Sequence, residues 1–257
     1  FDGSISGDYT SGESNDIDVE AADLDGDDDI DLYVVNGVYS GSVLVCFDFG
    51  GNCHDRNHLW LNNGDGTFTA ADFDAQGTAH DAEIADLNGD TYPDIYVATG
   101  GQNKLWLNDG SANFTAANIS GDTGESHDAE IADLNGDTYP DIYVANNDGG
   151  SVLWLNDGSA NFTSSDIAGD DSIDGIPYGV AVADLNGDTY LDIYVATSLE
   201  LGTIEIDPFA TYQNILLLND GAGNFTASNI TGDDGKSIDA EIADLNGDTY
   251  PDIYVST

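Results

Sequence analysis

Positive charge is almost missing from this chain: three Lys and Arg stand against fifty Asp and Glu in 257 residues, a formal net charge of −47. Neutralising phosphates takes clustered Lys and Arg. Nucleic acid is therefore excluded as a partner, and an anionic membrane surface is disfavoured. Met is absent, Pro occurs five times and Cys twice. No apolar run approaches the roughly 20 residues that cross a bilayer as a helix. Phe1 opens no signal-peptide pattern, which reads as a mature, processed chain. Also missing are a nucleophile elbow, a zinc-protease helix, a phosphate loop and a dinucleotide fingerprint, so no enzymatic activity is expected.

What the chain does have is enough apolar material to fold. Hydrophobic residues make up 40%, with thirteen Tyr, nine Phe and three Trp, which separates it from acidic chains that stay disordered. So much negative charge with so little to balance it suits a saline or cation-rich surrounding, where screening within about 10 Å blunts self-repulsion. An extracellular location, secreted or at the cell surface, is the expectation.

The dominant feature is a repeat. The stretch from Asp133 to Ala145, an oxygen-rich loop running into an apolar strand, has close copies beginning at Asp23, Asp86, Asp184 and Asp244, the mark of a repeat array. Each loop places side-chain oxygens at positions 1, 3, 5 and 9. They are Asp23, Asp25, Asp27 and Asp31 in loop 23–31; Asp86, Asn88, Asp90 and Asp94 in 86–94; Asp133, Asn135, Asp137 and Asp141 in 133–141. Loop 184–192 has Asp184, Asn186, Asp188 and Asp192, and loop 244–252 has Asp244, Asn246, Asp248 and Asp252. A hard cation wanting six to eight oxygens at roughly 2.3–2.6 Å is served by alternate carboxylates, a backbone carbonyl near position 7 and a closing carboxylate. Position 7 is Asp29, Tyr92, Tyr139, Tyr190 or Tyr250. Magnesium, which keeps its waters, fits less well. Two carboxylates about 4 Å apart repel by roughly 4 kcal/mol at an effective dielectric near 20, so several per loop threaten a fold worth about 5–15 kcal/mol unless a cation is bound. About five calcium ions are expected.

The motif Asp-x-Asp/Asn-Gly-Asp-x-x-x-Asp with Ile-Tyr-Val after it, and a later Leu-Trp-Leu-Asn-Asp-Gly-x-x-Asn-Phe, resembles the FG-GAP/VCBS repeats of integrin-type β-propellers. The resemblance covers nearly the whole chain. It implies an all-β, β-propeller-like array; the chain's own repeats count five blades rather than the seven common in that family, the last incomplete, in a single repeat domain over 1–257. It also implies calcium in the loop joining the first two strands of each blade. One departure is position 6, usually Gly in that family, which here is Asp28, Thr91, Thr138, Thr189 or Thr249. A position needing positive φ suits Thr poorly.

Each repeat reads as four short strands; in the third these are Phe114–Ile119, Asp128–Ala132, Asp141–Ala145 and Val152–Leu155. The Asp-Ile-Tyr-Val-Ala run is apolar on both faces, as a strand sandwiched between neighbouring sheets is. Insertions are expected at about 39–57 and 198–213. Trp60, Trp106, Trp154 and Leu217 share one mid-strand position, which favours core packing over ligand stacking. The turns at 62–64, 108–110, 156–158 and 219–221 have tight-hairpin chemistry.

Acidic pairs precede four loops: Asp18 and Glu20, Asp81 and Glu83, Asp128 and Glu130, Asp239 and Glu241, with Gly179 and Ala181 in the fourth repeat. Two apart on a strand, they share a face, either as a second cation or acid/base site or as a solvated rim. His80 and His127 open that segment where Ile17, Tyr178 and Ile238 stand elsewhere, which argues against catalysis. Cys46 and Cys53 suit a disulfide closing a short loop; with His54 and His58 beside them, zinc is the alternative. Asn113, Asn118, Asn161, Asn224 and Asn229 open glycosylation sequons, three of them the repeat's own Asn-Phe-Thr.

These features predict a secreted calcium-binding scaffold, with an adhesive role supplied by the family resemblance. A lectin-like carbohydrate-binding module, or an accessory domain of a polysaccharide-active enzyme, is the alternative. The short fifth repeat suggests head-to-tail self-association into a filament; a glycan or cell-surface component is the other expected partner.

Overall fold

The computed structural model describes residues 18–35, 57–71, 79–147, 150–165, 167, 175–198, 213–230, 232–233 and 237–257. Among them are eighteen strands and no helix. Blade one holds β1 (Val19–Ala22), β2 (Asp31–Val34), β3 (His58–Asn62) and β4 (Phe68–Ala71). Blade two holds β5 (Ala79–Ala85), β6 (Asp94–Thr99), β7 (Lys104–Asn108) and β8 (Phe114–Ala117). Blade three holds β9 (Ser126–Ala132), β10 (Asp141–Asn146), β11 (Val152–Asn156) and β12 (Phe162–Ser165). Blade four holds β13 (Ile176–Ala183), β14 (Asp192–Ser198), β15 (Ile215–Asn219) and β16 (Phe225–Ser228). Blade five has β17 (Asp239–Ala243) and β18 (Asp252–Ser256). Every blade is an antiparallel meander in chain order, and the first strands of successive blades lie side by side. The expected all-β, propeller-like array of five blades is what the chain forms.

The two-faced apolar strand explains the packing. Every residue of β6, β10 and β14 is buried, because alternate side chains enter the cores on either side. Tyr143 and Ala145 meet Val180, Ile193 and Val195 of blade four, while Ile142 and Val144 meet Leu87, Tyr96 and Ala98 of blade two. Each such Ile or Val contributes about 1.5–3 kcal/mol of burial, so the stability lies between blades. Trp154 is buried in the core between blades two and three, with Trp106 packed against the preceding one and Leu217 in the next. Their shared position is a core position.

The insertions are shorter than expected at their edges. Asn57 is buried and donates to the Tyr33 hydroxyl at 2.8 Å, Ser198 ends β14, and the Gln213 carbonyl accepts the Thr197 hydroxyl at 3.1 Å. All three belong to the blade framework. Cys46, Cys53 and His54, and with them the disulfide and zinc alternatives, lie outside the described residues, as do residues 1–17. Asn113, Asn161 and Asn224 use their amides to clamp the hairpin carboxylates of Asp109, Asp157 and Asp220 at 3.0–3.2 Å, a structural reason for their recurrence.

Candidate metal centres and the blade axis

Each loop is built around its first and ninth residues. Asp133 accepts the backbone N–H groups of Gly136 and Asp137 on Oδ1, at 2.7 and 3.1 Å, and that of Thr138 on Oδ2 at 2.8 Å. Asp23, Asp86, Asp184 and Asp244 make the same three bonds. The Asp137 carboxylate takes the N–H of Tyr139, and Asn135 Oδ1 that of Asp137; Asn88, Asp90, Asn186, Asp188, Asn246 and Asp248 repeat this. The loop is thereby wound so tightly that position 6 takes positive φ: Asp28 at 70°, Thr91 at 76°, Thr138 at 78°, Thr189 at 80° and Thr249 at 76°. The departure at position 6 therefore falls where a β-branched side chain is strained.

Position 9 is the hinge to the sheet. Asp141 is fully buried, and its two oxygens accept from Leu134 N at 3.1 Å and Asn156 N at 2.9 Å, joining loop, second strand and third strand. Asp31, Asp94 and Asp192 do likewise. Asp252 accepts from Leu245 N and the Asn246 amide. Burial raises Asp94 and Asp141 to about 6 despite those donors, with neighbouring loop carboxylates adding to it. Tyr92, Tyr139 and Tyr190 at position 7 project as half-exposed rings, so only their backbone carbonyls are candidates for a cation.

The residues of the first loop fit a cation. Carboxylate oxygens of Asp23, Asp25 and Asp27 lie within 4.8 Å of one another, and Asp25 Oδ1 is buried with no hydrogen-bond partner. Burial first, then the charges of Asp31, Asp27 and Asp23, raise Asp25 above its ordinary range. An orphaned oxygen among carboxylates calls for a positive charge. The other loops carry Asn at that place, so they gather fewer charges around the same backbone.

The acidic pairs are neither a free rim nor an isolated site. Asp18 Oδ2 accepts Ala82 N at 3.2 Å, Asp81 Oδ2 accepts Ala129 N at 3.0 Å, and Asp128 Oδ2 accepts Val180 N at 2.6 Å. Each is a hydrogen bond from one blade's first strand to the next. In blade four Gly179 has no side chain to offer, and a β-carbon there would stand 2.6 Å from Asp239 Cα, so close contact replaces the carboxylate. Sequence reading could not see this, since it depends on which blades adjoin.

Bulges at His80, His127 and Tyr178 turn these rings along the same row. His80 Nδ1 is 2.6 Å from Ser126 O, and His127 Nδ1 is 2.8 Å from Pro177 O. A carbonyl only accepts, so Nδ1 carries the proton in both. His127 stacks on Tyr178 with centroids 4.1 Å apart. The histidines are part of the blade-to-blade packing.

A network missed at the sequence level lies beneath. The Tyr96 hydroxyl donates to Asp122 Oδ2 at 2.7 Å, and the Asn103 amide donates to Tyr96, Asp122 and Ser126. Tyr194, Asp233, Asn214 and Ser237 repeat it in blade four. Its signal was the recurrence of Asn-Ile-x-Gly-Asp at 118–122 and 229–233.

Against this geometry stand the comparisons. A model of the FG-GAP-like repeat matches residues 43–97, 86–144 and 133–195. The chain belongs to the FG-GAP-like repeat family. Among solved structures it is similar to one titled for specific recognition of non-reducing terminal N-acetylglucosamine by an Agrocybe aegerita lectin, with TM-score 0.53 and 23% identity over 81% of this chain and 50% of that one. It is also similar to the rhamnogalacturonan lyase YesW, with TM-score 0.50 and 16% identity over 95% of this chain and 56% of that one. This FG-GAP-like chain thus spans about half the length of each, and identities this low speak for the fold. No curated protein matches it significantly. No helix among its described residues is long and apolar enough to cross a membrane.

Proposed function

We propose that this FG-GAP-like array is a non-catalytic, calcium-loaded scaffold that works outside the cell in a cation-rich setting. The observation that carries the proposal is the buried, unpartnered Asp25 Oδ1 among the carboxylates of Asp23, Asp27 and Asp31. Calcium would be held by the side chains at positions 1, 3, 5 and 9 of each loop with the carbonyl at position 7, and would neutralise their repulsion. A non-catalytic role is supported by the acidic pairs, three of whose four aspartates are spent on neighbouring strands. Metal analysis of the purified protein, with thermal melts in calcium and in excess chelator, tests this. About five ions per chain and a melt lowered by tens of degrees on chelation are expected; unchanged melting at low salt would sink the reading.

A second reading, a carbohydrate-binding module, is favoured by the likeness in fold to a lectin structure. Glycan-array binding in calcium, lost on chelation, would support it. An adhesive role or head-to-tail assembly is the remaining extension of the proposal, to be read by sedimentation in calcium.

A further inference from the structure

We propose that the carboxyl groups of the inner strands form a proton-operated clasp: shared protons hold the first strands of neighbouring blades together in acid, and losing them as the pH rises loosens the array. The inference is independent of whether the loops are filled.

The geometry comes from three blades. Asp18, Asp81 and Asp128 each give one oxygen to the backbone of the following blade, and the Ala129 N–H is shared between Asp81 Oδ2 at 3.0 Å and Asp128 Oδ1 at 2.8 Å, which brings those two carboxyl groups together. Two ionised carboxylates have only acceptors, so the pair can bond to each other there only while one of them carries a proton. Two residues further on, Glu20, Glu83 and Glu130 lie on the same side of their strands. Glu130 is acted on by Glu20 of blade one and Glu241 of blade five, and Glu83 by Glu130 and Glu20. Carboxylates from non-adjacent blades therefore converge on one axis.

Little is present to neutralise them. β1 and the residue before it bring Asp18 and Glu20, β5 brings His80, Asp81 and Glu83, and β9 brings His127, Asp128 and Glu130. From β13 come Tyr178, Gly179 and Ala181, and from β17 Asp239 and Glu241. Behind β5, Tyr96 of β6 feels the charge of Asp81. Lys104, the single Lys or Arg among the described residues, stands on β7, two strands out. Both histidines have Nδ1 committed to carbonyls.

Protons fill the gap. Burial, then neighbouring carboxylates, raises Glu20 and Glu130 to about 7 and Glu83 to about 10, and burial pushes Asp81 and Asp128 well above the usual range. Because these values are raised on folding, their contribution is complete below the unfolded values near 4–4.5 and is lost as the pH climbs through 7. Each group shifts the folding equilibrium by up to about tenfold per pH unit in its window. Calcium loops have the opposite sign, since their ligands must be deprotonated.

The test is the melting temperature of the full chain at pH 5 and pH 8.5, in saturating calcium at constant ionic strength. A fall of roughly 5–10 °C is expected. Replacing both glutamates, Glu83→Gln with Glu130→Gln, should flatten the dependence and make the variant melt above the unsubstituted protein at pH 8.5. A level or rising melting temperature in the unsubstituted chain, or an unchanged slope in the variant, overturns the proposal. Infrared spectroscopy of the unsubstituted chain near pH 6.5 keeps the test decisive if the variant does not fold: the carbonyl band of protonated carboxyls is expected there, and its absence refutes the clasp.

Discussion

Tyr92 lies against Gly110 so closely that a β-carbon at Gly110 would stand 2.3 Å from the ring. Tyr139 sits on Gly158 and Tyr190 on Gly221 in the same way, so the hairpin of each of these blades is roofed by the ring from its own loop. Those rings are 42–44% exposed, whereas Tyr250, in the blade described by two strands, is 69% exposed. The aromatic at position 7 thus ties loop to hairpin.

Gly158→Ala should be costly twice over. The residue has φ of +79°, and its new methyl would meet Tyr139 at 2.4 Å. A loss of roughly 2–3 kcal/mol is expected from backbone strain and overpacking. Denaturant unfolding of Gly158→Ala, Tyr139→Ala and the double variant checks it. The double loss should be well below the sum of the singles, and simple additivity would show that the ring is not what fills the space.

Thr138→Gly should stabilise the protein. Left-handed backbone costs a residue with a β-carbon about 1–2 kcal/mol, and glycine's greater unfolded freedom returns about 0.5–1 kcal/mol of that. A net gain of up to about 1 kcal/mol is expected, visible as a higher melting temperature with calcium held fixed. A lower one would mean that the threonine side chain makes a compensating contact.

How much of this was legible in the sequence follows the range of the interactions. Strands read as 128–132, 141–145 and 152–155 form as Ser126–Ala132, Asp141–Asn146 and Val152–Asn156, and 114–119 as Phe114–Ala117, because alternation and turn chemistry are local, although that last strand closes blade two and not the third. The winding of the loops is local in the same way, since every bond Asp133 makes is to a residue within five positions. What escaped was everything that joins blades. The bond from Asp81 to Ala129 spans 48 residues, and nothing in the pair Asp81 and Glu83 announces that one member bolts a neighbour while the other faces an axis. The second role of position 9 was hidden likewise. Asp141 had to be read as a ligand before its clip to Asn156 could be seen.

Asn156→Ala should be the most damaging truncation of a hairpin residue. Its buried amide donates to Leu87 O of the preceding blade at 2.9 Å and to Pro140 O of its own at 3.0 Å, as Asn108 and Asn219 do in their blades. The Pro140 carbonyl would lose this partner, at about 1–3 kcal/mol for a group left buried and unsatisfied, and Leu87 O would keep only the N–H of Ala160 at 2.9 Å. A loss of roughly 2–4 kcal/mol in denaturant unfolding is expected; less than 1 kcal/mol would mean that water replaces the amide.

The first loop offers the sharpest separation of charge from shape. Asp25 stands where the other loops have Asn88, Asn135, Asn186 and Asn246, and its Oδ1 is buried without a partner while Asp31, Asp27 and Asp23 all raise its proton affinity. Asp25→Asn keeps the size and the oxygen that a cation would use but removes one negative charge, giving this loop the same residues at positions 1, 3, 5 and 9 as its four counterparts. Its effect must therefore change sign with calcium. In chelator the substitution relieves repulsion and should raise the melting temperature, because several carboxylates about 4–5 Å apart are left unneutralised. In calcium it removes part of the attraction that holds the ion and should weaken the affinity of one site in titration calorimetry, as expected when ligand charge sets the strength of an oxygen site. A substitution that stabilises equally in both conditions would show that the carboxylate is merely crowded, and one that destabilises in chelator would show that Asp25 serves the loop without a cation.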